Sequence, residues 1–80
     1  MQEHTFEGVS HWYKSVFERL GWIVLGDQEK LFHYKQEIIK LQRALDSLIA
    51  IYESADKRHD LNVMAIHVDQ LSRFVMTAFH

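Results

Sequence analysis

From Leu31 to Tyr52 the apolar residues of this chain recur at spacings of three and four without a miss: Leu31, Tyr34, Ile38, Leu41, Leu45, Leu48 and Tyr52. That period is the signature of a helix with one apolar stripe, and no strand could place these residues on one face. Written as a heptad, Leu31, Ile38, Leu45 and Tyr52 are a positions, and Tyr34, Leu41 and Leu48 are d positions. Lys35, Gln36, Glu37, Lys40, Gln42, Arg43 and Asp46 fill the remaining faces. Asp27, before Gln28-Glu29-Lys30, is a fitting N-cap that places negative charge where the helix dipole favours it. The pattern predicts a helix over about 28–54, roughly 40 Å long at 1.5 Å per residue.

A second clean register follows in Leu61, Met64, Val68, Leu71, Val75 and Ala78, with Ser54 or Asp56 as its cap. This predicts a helix over about 57–78. The connection Glu53-Ser54-Ala55-Asp56 is short enough to make the two helices antiparallel neighbours. Upstream, Thr5 or Ser10 can cap a further helix over about 9–25 that carries two apolar stripes. One is Val9, Trp12, Val16 and Ile23; the other is Tyr13, Phe17, Leu20 and Val24. So broad an apolar girth asks for partners on more than one side. Gly21 interrupts this helix at a cost of about 1 kcal/mol, while Gly26-Asp27 is the stronger stop-and-restart signal. The expected fold is all-α, an up-down-up three-helix bundle forming a single domain over 1–80.

Composition narrows the class further. The chain has no proline, three glycines and 48% apolar residues, too hydrophobic for disorder and too poor in turn residues for an all-β fold. An 80-residue core is near the lower size limit and rarely yields more than about 3–5 kcal/mol. With no cysteine, disulfides and thiolate zinc sites cannot reinforce it. The remaining reinforcements are regular helix packing, oligomerisation or a His/carboxylate metal site, of which the first two are better supported. A formal charge of −2 gives no bulk attraction to nucleic acid. The longest apolar run, Trp22-Ile23-Val24-Leu25, cannot span a bilayer. The opening residues have neither the basic nor the apolar segment of a signal peptide, so a cytoplasmic location is expected.

The heptad stripe is first of all the seam on which the bundle packs. Around it lies a surplus. Ile49 and Ile51 occupy e and g positions, where an exposed helix would carry charge, and Phe32 and Ile39 widen the stripe upstream. Together with Trp12, Phe17 and Trp22 of the first helix, this exceeds what one three-helix unit can hide. The expectation is a homo-oligomer, a dimer foremost, with Trp12, Phe17, Trp22, Phe32, Ile49 and Ile51 as contact residues.

Metal chemistry has weaker support. Glu29, His33 and Glu37 stand four apart on one side of the middle helix, Glu7 and His11 repeat that spacing, and Asp60, His67 and Asp69 form a looser group. The Glu-x-x-His pairs of carboxylate-bridged bundles are missing, so accidental spacing of exposed residues is the preferred reading and no cofactor is expected. His67, beside Val68, reads as a half-buried packing histidine. The cluster His11-Trp12-Tyr13-Lys14 has the composition of a base-stacking platform, yet Trp12 shares a helix face with Val16 and reads as core. The last helix, with Arg73 and no lysine over about 61–79, would be a poor DNA-recognition helix. Nucleic acid is therefore the second choice of partner. No phosphate loop, nucleophile elbow or metalloprotease motif is present in the sequence, and no enzymatic activity is expected.

The strings His11-Trp12-Tyr13-Lys14, Phe17-Glu18, Leu20-Gly21-Trp22 and Val24-Leu25 resemble small uncharacterised proteins of large DNA viruses of algae and of marine viral and metagenomic sequences. Tyr34-Lys35, Leu41, Asp56-Lys57-Arg58 and Asp60-Leu61 extend the likeness over nearly the whole chain. The resemblance implies an all-helical accessory or structural interaction protein acting inside a host cell. It transfers no catalytic or binding residue.

Overall fold

A computed structural model describes residues 5–19 and 27–78. Three helices account for nearly all of them: α1 over Phe6–Arg19, α2 over Gln28–Ile51 and α3 over Ala55–Ala78. The expected end of the first helix near 25, the question of its passage through Gly21, and Trp22 all lie outside the described residues.

The described side chains of both predicted stripes form the core or its edge; that of Ala78 lies outside them. Leu31, Ile38, Leu41, Leu45 and Leu48 of α2 are at most 1% exposed, and Tyr34 and Ala44 are buried with them. On α3, Leu61, Met64, Val68, Leu71 and Val75 face the same interior, to which α1 adds Val9 and Val16. Tyr52, the last heptad position, is half-buried at the core's edge. The α2–α3 hairpin is the larger part of the structure. Only residues 52–54 join α2 to α3, and both helices line one core along their length, so they run in opposite directions. The first helix lies antiparallel to α2, with Phe6 near Tyr52 and Arg19 near Glu37, and parallel to α3, with Tyr13 near His67. The up-down-up topology follows.

Three boundaries differ from the sequence expectation, each for a local reason. The first helix begins at Phe6 rather than near 9, because Thr5 caps it. The backbone N–H of Gly8 donates to Thr5 Oγ1 at 3.0 Å, and that of Val9 to the Thr5 carbonyl at 2.9 Å. Tertiary contacts hold the same turn: Phe6 N–H donates to the Tyr52 hydroxyl at 3.1 Å, and Lys57 Nζ lies 5.5 and 5.6 Å from the centres of the Phe6 and Tyr52 rings. The middle helix ends at Ile51, three residues before the expected 54. Tyr52 turns into extended backbone (φ −78°, ψ 128°) while its N–H still donates to the Leu48 carbonyl, and its ring packs against Phe6. The third helix begins at Ala55 instead of 57, with Arg58 N–H donating to the Ser54 carbonyl at 2.9 Å. Asp27 is the N-cap of α2 as expected, its side chain accepting from Lys30 N–H at 3.1 Å.

Candidate interaction surface

The described members of the two stripes of α1 are used inside the chain, while Leu20, Ile23 and Val24 lie outside the described residues. Helix α1 sits against both members of the hairpin, and Trp12, Tyr13 and Phe17 are half-buried against the core. One stripe meets α2. Trp12 Nε1 donates to Glu37 Oε2 at 3.1 Å, and Arg19 Nη2 reaches both oxygens of that carboxylate, Oε1 at 2.7 Å and Oε2 at 2.8 Å. Arg19 is anchored in turn by Nε–H donation to the Ser15 carbonyl. Beneath this pair the buried hydroxyl of Tyr34 donates to the Val16 carbonyl at 2.6 Å, in the last turn of α1, where donors and cations suit the helix dipole. The other stripe meets α3: the Tyr13 ring, tilted against Phe17 at 4.8 Å, stacks on His67 at 6.3 Å, and its hydroxyl shares a hydrogen bond of 2.8 Å with His67 Nδ1.

These contacts set the electrostatics of the joint. Burial pushes the Glu37 carboxyl up, but the hydrogen bonds from Arg19 and Trp12 and the Arg19 charge outweigh it and hold its pKa below the ordinary carboxylate value. Such a depressed pKa contributes stability above the unfolded value, and that contribution is lost as pH falls through the folded one. Glu37→Gln, which keeps an acceptor for the indole and loses the ion pair, is therefore expected to lower stability by about 1 kcal/mol at neutral pH. It should also flatten the loss of stability below about pH 4.5, the unshifted value. Urea midpoints of both proteins from pH 7 down to pH 3 check this; parallel acid slopes would rule it out.

The candidate metal ligands do not come together. Glu29 and His33 are exposed on α2, whereas Glu37 is held by Arg19 and Trp12. Asp69 pairs with Arg73 at 3.2 Å, and His67 points to Tyr13. Among the described residues no three His, Asp or Glu side chains are placed to share an ion. His67 is exposed, not half-buried as expected, because it stands at the rim of the α1–α3 contact rather than under it. No described helix is long and apolar enough to cross a membrane.

No family model, curated protein or solved structure matches the chain. The surface must be read from its own chemistry.

Of the expected contact residues, Trp12, Phe17 and Ile49 pack in part against the core, while Phe32 (46%) and Ile51 (68%) are exposed. They do not form one patch. At 100° per residue, Ile51 lies two heptads beyond Glu37 on the α1 side of α2, whereas Phe32 lies one heptad before Ile39, on the opposite side. The exposed apolar residues that the sequence reading missed are on α3: Val63, Ile66, Phe74 and Met76. Their signal was available, since all four fall outside the Leu61–Val75 register.

Two surfaces result. Val63 lines a depression beside α1 with Phe6, Tyr13 and Lys14, and Phe74 follows His67 by one heptad on the same side of α3. The other lies on the far side of the hairpin, since Asp46 stands about 180° around α2 from Glu37. There Ile39, Gln42, Arg43 and Asp46 face Ala65 and Asp69 across a shallow groove of about 340 Å³. A second depression shares Asp46, Ala65 and Asp69 with it and continues to Ile49, Ile66 and Arg73. Met76, one heptad after Asp69, extends the same face.

Proposed function

We propose that the protein is a non-enzymatic interaction module that works as an oligomer. One observation carries this reading: the described helices already share a buried apolar core, yet Ile66 and Met76 remain 58% and 52% exposed on α3, and Ile66 lines a depression along the α2–α3 hairpin. Large apolar residues grouped on one helix face of a small domain are the mark of a surface that meets another protein. Small size adds to the argument, because association supplies the stability that a core of this size lacks.

Light scattering coupled to size exclusion tests the reading. A mass above that of the 9.5 kDa chain, rising with concentration, is the expected result. A monodisperse monomer at several hundred micromolar would end it.

A further inference from the structure

We propose that α1 is an acid-released strap: a proton on Glu37 loosens α1 from the α2–α3 hairpin while the hairpin itself stays folded. The inference goes beyond the association reading and does not depend on it.

Helix α1 is held differently from the other two. It has 14 residues, against 24 in α2 and in α3, and its fully buried side chains are Val9 and Val16. The hairpin places seven buried residues on α2 and five on α3, and residues 52–54 tie the two helices together. Local opening starts where few apolar groups are buried, which here is α1. Polar contacts therefore carry a larger share of its docking than they do for α2 or α3.

Two of those contacts converge on one carboxylate. Trp12 Nε1 donates to Glu37 Oε2 at 3.1 Å, and Arg19 Nη2 lies 2.7 and 2.8 Å from its two oxygens. Trp12 and Arg19 stand seven residues apart on α1, so one proton on Glu37 acts on both the middle of the helix and its last turn. A protonated carboxyl loses the ion pair and turns one oxygen into a donor, leaving two donors to compete for the other. The remaining contacts of α1 keep their bonds in acid. Tyr34 hydroxyl to Val16 carbonyl and Phe6 N–H to Tyr52 hydroxyl join neutral groups. Between the Tyr13 hydroxyl and His67 Nδ1, donor and acceptor exchange when the imidazole gains a proton, and the bond survives.

The charges around Glu37 agree with this geometry. Burial pushes its carboxyl up, and what outweighs burial comes chiefly from Arg19 and Trp12 of α1, with Lys40 of α2 adding least. Tyr34 lies beneath the pair on α2, His33 stands one turn earlier on that helix, and no charged group of α3 among the described residues contributes. By linkage, donors on α1 that keep the proton off Glu37 are themselves released when it binds. The docking contribution is fully present above the ordinary value of 4.5 and is lost as pH falls through the lower folded one.

Amide hydrogen exchange of the full chain, followed residue by residue by NMR and corrected for the intrinsic effect of pH, tests this. From pH 6.5 to pH 3, protection of α1 amides between Ser10 and Arg19 is expected to fall about fivefold further than that of Leu41, Leu45 and Val68 in the hairpin. Glu37→Gln should show the lower α1 protection already at pH 6.5 and lose the excess fall in acid. Arg19→Gln, which spares the carboxylate, should shift both in the same direction and keeps the test open if Glu37→Gln fails to fold. Equal loss of protection in α1 and the hairpin would mean that α1 does not open by itself, and overturns the proposal. An excess fall in α1 that persists unchanged in the variants places the acid response on another group, and overturns it as well.

Discussion

Leu45→Ala is expected to leave the chain largely unfolded at room temperature. Leu45 is fully buried in the middle of α2, on the stripe that faces the other two helices. Truncation there removes the transfer energy of three carbon atoms and leaves a cavity that the backbone cannot close, a loss of about 3–4 kcal/mol. A domain of this size has about 3–5 kcal/mol to lose. Urea denaturation followed by circular dichroism should show the midpoint moved close to zero. Ile51→Ala is the companion measurement, since the same helix carries that side chain 68% exposed and its truncation should change stability by less than about 0.5 kcal/mol. Equal effects of the two would mean that the stripe is not the core.

The second large effect is alkaline. Tyr34 is 5% exposed, and burial drives its hydroxyl pKa from 10.0 to about 12, with the Arg19 charge pulling down and the Glu37 charge pushing up. The phenol therefore stays protonated in the folded chain, donating to the Val16 carbonyl, at a pH where the unfolded chain has ionised. Stability from this difference is fully present below pH 10 and is lost as pH rises through the folded value near 12. Two pH units correspond to about 2.7 kcal/mol, a large share of the whole. Tyr34→Phe should cost about 1–2 kcal/mol at pH 7, through the orphaned carbonyl, and then show a shallower alkaline decline than wild type. Stability profiles from pH 8 to pH 12 decide it, and identical slopes would exclude a protonated Tyr34 as their source.

The residues of the candidate surface were legible in the sequence only in part. Ile49 and Phe32 stood out because they depart from the a and d register of α2. Ile66 and Met76 depart in the same way from the register of α3, and the regularity of Leu61, Met64 and Val68 drew attention away from them. The broad apolar girth of α1 pointed to a second chain. In the structure Trp12, Tyr13 and Phe17 pack in part against the core that α2 and α3 share, while Leu20, Trp22, Ile23 and Val24 lie outside the described residues. Glu37 shows the same limit from the polar side. At four residues from His33 it resembles a ligand, but its partners Arg19 and Trp12 are 18 and 25 residues away.

The stripe from Leu31 to Tyr52 determined, by itself, that this chain is helical and which side of its middle helix is buried. A period near 3.6 has one geometric solution, and the burial of a continuous stripe is the dominant favourable term. The tertiary structure alone decided what borders that stripe. Phe6 joins α1 because Tyr52 and Lys57 meet it, and the hairpin face near Gln42 is open because α1 packs on the other side. Flanking residues carry no period of their own, so whether an isoleucine there is covered or exposed depends on where the neighbouring helix comes to rest.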